Sequence, residues 1–444
     1  VLPVFRLPLS LTTRIIILCL TAMPLGLIAL IGVSGESLSS FVFNFFRFLK
    51  RRRVVSQPAE SSKPSESDHP KGRKLRSSRI QTPAEYFPIQ KIQHGVLYTR
   101  DHRYVKVLEV TPINFLLRSA REQRNILYSY VHYLKISPVK VQMKVLTKKA
   151  DVNRHLESVR REFQAETDEK CRELQKDYED LIRRIGSKEA ITRRFFLIFE
   201  YESFGRHESE EEALSALMTA EQTARTYLLQ CGNKIAEPES EDEAAVEILY
   251  ELLNRKTSAE KPLSVHSSEV IARHLFKEGE DAAGRIPAAD FFAPSSLDFR
   301  HAHYVMIDGT YYAYLLIPSS GYKPRVAAGW LSILVNAGEG VDVDMFLFRQ
   351  PKEQVIRKLG QQLRINRSKI RETSDTNTDF DDLEGAIRSG YFLKEGLAAN
   401  EDFYYFSTLI TVTASSLKEL NWRIAELKKL MVSQDLNIAP CTFR

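Results

Sequence analysis

From about Tyr86 onward, apolar residues change period in a regular succession of short alternating runs and helical spacings. GVLYTRDHRYVKVLEV (95–110) reads as a β-hairpin turning at Arg100–His102. RSAREQRNILYSYVHYL (118–134) has helical spacing, Pro138 stops it, and VKVQMKVLT (139–147) reads as a strand. A long charged helical stretch over about 151–185 carries sparse apolar residues, Leu156, Val159, Phe163, Leu174 and Leu181. That spacing suits an arm that projects or packs along one stripe. RRFFLIFEYE (193–202) is a strand, followed by a helix at 208–230 and a weak strand at 233–236.

The same succession then recurs. YVMIDGTYYAYLLI (304–317) is a hairpin turning at Asp308-Gly309, a strong turn dipeptide. A helix over 324–337 with Gly338 as its stop, a strand over 340–351, and a long basic helix from about 352 to 372 follow. FYYFSTLITVTA (403–414) is a strand, SSLKELNWRIAELKKLMV (415–432) a helix with a serine cap, and LNIAPCTF (436–443) a final strand. Asp101 aligns with Asp308, Met143 with Met345 and Phe196 with Tyr405. A β-β-α-β-α-β-α-β unit repeated twice is therefore expected, each copy with its own small sheet and helices mainly on one face. The predicted fold class is α+β: two tandem copies with long helical arms, preceded by an N-terminal transmembrane helix.

That helix is expected over residues 15–33, IIILCLTAMPLGLIALIGV, uncharged between Arg14 and Glu36 and near the ~20 residues a bilayer crossing needs. A cleaved signal peptide competes, but no clean small-x-small site follows and a second apolar stretch, LSSFVFNFFRFL (38–49), does. Arg47, Lys50, Arg51, Arg52 and Arg53 follow the span, whereas Arg6 and Arg14 precede it. Positive-inside asymmetry then puts everything after about residue 50 in the cytoplasm, with these five cations at the membrane surface. Residues 54–84, rich in Ser, Pro, Lys and Glu, read as a flexible tether. The expected division is 1–53 anchor, 54–84 linker, 85–236 first repeat, 237–300 helical connector with helices near 242–254 and 267–277, and 301–444 second repeat.

At 444 residues, with 43% hydrophobic and 27% charged residues, the chain is neither disordered nor wholly membrane-embedded. A net charge of +6 suits anionic lipid or nucleic acid without selecting either. The four cysteines stand far apart with no metal-ligand spacing, so free thiols in a reducing compartment are the default. GxxxxGK[ST] is absent, as are GxGxxG, GxSxG and HExxH. His301 and His303 lie two apart at a strand start, where a metal would need a third ligand that the sequence does not offer. TSDTNTDFDD (373–382) places Asp375, Asn377, Asp379 and Asp381 at the alternation of a calcium loop. Counted from Asp375, however, Phe380 stands where the loop needs glycine and Ala386 where it needs a bidentate acid. A helix break is the better reading, with Asp379 or Asp381 capping a new helix. The helix before it carries Arg357, Arg364, Arg367, Lys369 and Arg371 as a basic stripe. With Asp375, Asp379 and Asp381 beside it, this is the candidate partner or subunit contact; lipid headgroups, nucleic acid and a simply solvated face are the alternatives.

HGVLYTRDHRYVKVLEVTPINFLLRSAREQRNILY, GWLSILVNAGEGVDVD, QPKEQVIRKLGQQLRINRSKI, TSDTNTDFDDLEGAIRSGYFLKEG and EDFYYFSTLITVTA together resemble the N-terminal region of the VirB/TrbE/CagE-type conjugative-transfer ATPases of type IV secretion systems, most of all those of Gram-positive integrative conjugative elements. The resemblance covers residues 85–444. GVSGESLSSFVFNFFRFLKRRR more briefly resembles the end of a PrgI-type membrane protein, which accompanies that ATPase. The resemblance implies a bacterial membrane location, inner-membrane channel proteins as partners, a homo-oligomer in the full-length form, and a docking role in DNA or protein transfer. It places ATP and Mg in a C-terminal RecA-like motor domain expected beyond Arg444. The chain is therefore expected to be a fragment or truncated product with no catalytic, cofactor or metal residue and no ATP hydrolysis of its own. A DNA-binding accessory of the conjugation apparatus is the alternative.

Overall fold

The computed structural model describes residues 32–33, 36–37, 54–56, 82–149, 156, 159–161, 168–188, 191–203, 210–278, 286–322, 329–372 and 378–442. In chain order, β1 is Val54–Ser56, β2 Ile89–Gln93, β3 Val96–Thr99 and β4 Arg103–Thr111. Helix α1 (Ala120–Ile136) leads to β5 (Lys140–Lys149), α2 (Glu169–Lys188), β6 (Ile191–Glu202), α3 (Glu210–Gln230) and β7 (Lys234–Ile235). Three connector helices follow, α4 (Glu241–Leu253), α5 (Arg255–Glu260) and α6 (Leu263–Glu278). Then come β8 (Ser296–Asp298), β9 (Val305–Ile307), β10 (Thr310–Leu316), the short α7 (Ser332–Val335) and β11 (Val341–Gln350). The chain continues through α8 (Lys352–Glu372), α9 (Thr378–Ala398), β12 (Phe403–Ala414), α10 (Leu417–Val432) and β13 (Ala439–Pro440).

The fold is mixed α/β, built on one antiparallel sheet of 13 strands ordered β1-β8-β9-β10-β12-β11-β5-β6-β4-β3-β2, with β13 on β10 and β7 on β4. This corrects the expectation of two tandem units with separate small sheets. A unit ending at β5 or at β11 would leave a row of unpaired backbone groups. Pairing those two edges satisfies both rows and fuses the sheets. The register runs Val141↔Leu347, Gln142↔Phe346, Met143↔Met345, Lys144↔Asp344 and Val145↔Val343. Counted outward from this seam, the strands follow β11, β12, β10, β9 on one side and β5, β6, β4, β3 on the other.

The expected N-terminal transmembrane helix is corrected as well. Among the described residues no helix is long and apolar enough to cross a membrane. Residues 15–31 of the expected span, and 38–53 after it, lie outside the described residues. The span's last two residues, Gly32 and Val33, are extended and pair with Glu36–Ser37, a geometry the β-branched Val33 favours. Val54–Ser56, at the start of the expected tether, is an edge strand on β8.

Turn chemistry sets the hairpins. His94-Gly95 and Asp308-Gly309 both have positive φ, the conformation a two-residue turn requires. At 100–102 the Thr99 hydroxyl accepts from Arg103 N at 3.0 Å, and His102 takes the left-handed conformation. Three helices start on side-chain caps. Ser119 and Glu122 form a reciprocal capping box on α1, while Ser240 and Ser416 cap α4 and α10.

The two faces of the sheet differ in chemistry. On one, α1 and α3 cover Leu108, Val141, Leu197 and Phe199, and α7 and α10 cover Leu315, Val343, Ile410 and Val412. The other carries the connector and a run of buried charge. Lys144 Nζ meets Asp344 Oδ2 at 2.8 Å, and Gln142 Nε2 donates to Asp344 Oδ1 at 2.8 Å. Asp342, 2% exposed, accepts from Thr147 N at 2.9 Å and pairs with Arg255 of α5. Glu251 of α4 pairs with Lys148 at 2.7 Å and Arg194 at 2.6 Å, and Arg194 reaches Glu109 at 2.7 Å. Burial pushes the Glu251 carboxyl up, but Lys148 and Arg194 outweigh it and hold it below its ordinary value. Glu221 behaves likewise: burial raises it, and Lys106 and Arg225 bring it below its ordinary value.

Two predictions concern this network. Asp344→Ala leaves Lys144, its side chain 12% exposed, without its counter-charge and is expected to cost about 3–5 kcal/mol in urea denaturation. Replacing both partners, Lys144→Met with Asp344→Leu, is expected to be neutral or stabilising. A single variant as mild as the double one contradicts that account. For pH, carboxyls depressed in the native state contribute stability that is fully present above the ordinary value of 4.5. That stability is lost as pH falls through the lower native values. Thermal unfolding followed from neutral pH downward is expected to show the midpoint falling in that acid range, and less steeply in Glu251→Gln.

Candidate functional site

The basic stripe lies on α8, which with α9 forms an antiparallel helical arm. The arm leaves the sheet where Gln350 at the end of β11 pairs with Phe403 at the start of β12. Only Pro351 separates β11 from α8, and its fixed φ suits a strand-to-helix entry. The two helices pack on each other, and their more buried positions are Val355, Leu359 and Leu363 on α8 and Leu383, Ile387, Gly390 and Leu397 on α9. Close approach depends on Gly390: a Cβ there would stand 2.7 Å from Leu363 Cδ2 and 3.2 Å from its Cγ. The remaining faces point outward.

Arg357, Arg364, Arg367 and Lys369 are exposed along α8. Among the described residues, Arg357 and Arg364 have no ion-pair partner, and the Arg367 guanidinium lies 5.5 Å over the Tyr391 ring. Arg371 falls in the last turn of α8, where its side chain is not described, and Asp375 lies outside the described residues. Helix α9 begins at Thr378, so Asp379 and the exposed Asp381 sit within its first turns. The membrane-surface candidates Arg47, Lys50, Arg51, Arg52 and Arg53 lie outside the described residues. The arm also exposes apolar side chains that helical periodicity did not single out: Ile356, Ile365, Tyr391, Phe392 and Leu393. Their signal was the width of the apolar pattern, since the arm has more apolar positions than one helix-helix contact can cover.

A second charged region, absent from the candidate residues read from sequence, lies on the β4 flank. Asp242 Oδ1 accepts from Gly95 N at 2.6 Å, which brings the start of α4 around the His94-Gly95 turn. There Lys106, 5% exposed, meets Glu221 at 2.6 Å and Glu241 at 3.2 Å. Lys91 pairs with Glu210, and Arg225 with Glu221 and Glu237. Glu211, Glu212, Glu239, Glu243 and Glu247 add further exposed carboxylates. The residue run Glu237–Glu243 announced negative charge; its convergence with Glu210–Glu212 needed the fold.

Below the seam, a cleft of about 360 Å³ is lined by Thr147, Lys148, Glu251, Arg255, Gly340, Thr413 and Arg423. Lys148 there pairs with Glu251, and Arg423 with Glu419 at 2.8 Å and with the Thr413 carbonyl. His301 stacks on Tyr304 at 4.3 Å, and His303 is exposed. Among the described residues no group of three potential metal ligands occurs. Chemically, α8 offers cationic contacts and α9 an aromatic one to an anionic partner; in the cleft the Ser415 hydroxyl donates to Glu419 at 2.7 Å. No protein-family model matches the chain, and a search of curated proteins finds no match.

Gly390→Leu is expected to force α8 and α9 apart. Limited trypsin digestion should then cut the arm faster, while near-ultraviolet dichroism of the sheet core stays unchanged. An unaltered cleavage rate would show that the arm does not need the close approach at Gly390.

Proposed function

We propose that this chain is the docking N-terminal region of a type IV secretion, conjugative-transfer ATPase that energises DNA or protein transfer. It acts at the cytoplasmic face of the bacterial membrane, holding the motor against inner-membrane channel proteins and neighbouring subunits. The observation that carries the reading is the α8–α9 arm, a partly apolar projection with a cationic α8, made from two of the sequence runs that resemble that family. Such a projection is built for contact with another surface rather than for chemistry on a small molecule. In this reading ATP and Mg belong to the motor domain, and the chain itself supplies position.

A DNA-binding accessory is the second reading, and the charge of α8 is its support: seven Lys or Arg against two Glu. The acidic flank weighs against it, because the same chain offers a protein surface of the opposite sign.

Reading the gene past codon 444 tests the proposal. GxxxxGK[ST] is expected within roughly 100–150 residues, about one domain's length. An open frame that continues that far without the motif overturns it.

A further inference from the structure

We infer that the arm's partner is a second copy of this chain, engaged through the acidic flank of β4. The inference rests on reading the arm as a docking element and names what it docks. Three observations carry it. First, the exposed face of α8 is cationic, and Arg357 and Arg364 have no ion-pair partner among the described residues. Second, the flank is acidic beyond what its own cations offset. Lys91, Lys106 and Arg225 engage Glu210, Glu221, Glu237 and Glu241, while Glu211, Glu239 and Glu243 are exposed with no ion pair among the described residues. Third, the two surfaces are rooted on different strands of the sheet. The arm is rooted on β11 and β12, the flank sits on β4, and β5 and β6 stand between them. No ion pair among the described residues joins the arm to the flank.

Opposite charges rooted on different strands of one sheet favour head-to-tail association, in which each copy's arm takes the next copy's flank. The charges steer the approach, and Ile365, Tyr391 and Phe392 supply the apolar contact that exposed ion pairs lack. Such contacts are heterologous: they close into a ring where the rotation permits and otherwise run on as a filament.

Sedimentation velocity on the full chain tests this. Wild type is expected to associate with rising concentration at low salt and to dissociate as salt screens the contact. Arg357→Glu with Arg364→Glu on the arm, or Glu211→Lys, Glu239→Lys and Glu243→Lys on the flank, should each weaken association at least tenfold. Mixing the arm-reversed and flank-reversed proteins should restore it, because each then presents the charge the other needs; misfolding of either variant cannot produce that recovery. A chain that stays monomeric at low salt overturns the inference, as does association that survives arm reversal or a mixture that fails to recover. Retention of duplex DNA in place of self-association also overturns it. Each of these failures leaves the motif search downstream of codon 444 unaffected, so the two proposals fall separately.

Discussion

The antiparallel pairing of β5 with β11 holds the molecule together. Five register pairs close two open edges at once, and the pair is amphipathic. Val145 and Val343 face the apolar layer beneath α1, α3 and α10, while Lys144 and Asp344 face the connector. Through Asp342 the same strand is tied to Arg255 of α5, and through Lys148 its partner is tied to Glu251 of α4. The connector therefore straps the seam it spans, and sheet and strap order one another.

Buried charge is a costly way to line a seam, since desolvation offsets much of the attraction. What it supplies here is register. Sliding β11 by one residue would turn Asp342 and Asp344 into the apolar layer; sliding by two would separate Asp344 from Lys144. Apolar contacts such as Val145 with Val343 tolerate such slips far better. The network thus fixes the angle at which everything rooted on β11, the arm included, leaves the sheet.

Local elements were legible in the sequence because their causes are local. Asp308-Gly309 dictates a turn that needs positive φ at both positions, and Ser416 with Glu419 marks a helix start. Strand β2 was missed because IQKIQ lacks a clean alternation. The union of the sheets was not legible, since an edge strand and a central strand of β11's composition look alike. The VDVD alternation at 341–344 was the available hint: two acids on one face of an apolar strand ask for buried cations, which came from residues some 200 positions away in Lys144 and from Arg255. Of the candidate site, the spacing of Arg357, Arg364 and Arg367 on one helix was readable. Its anionic counterpart was readable only as scattered glutamates, because α3, α4 and the β2–β3 turn converge through the tertiary fold.

The short root of the arm has a mechanical consequence. Both helices enter the sheet at one register pair, Gln350 with Phe403, with Pro351 alone on one side and residues 399–402 on the other. A load on the tip therefore reaches β11 and β12 together and does not pry them apart. It passes outward instead, into β10 on one flank and across the seam into β5 on the other. The arm is a cantilever whose foundation is the joint between the halves, so tension on it is shared by the strand pairing and the ion pair of that joint.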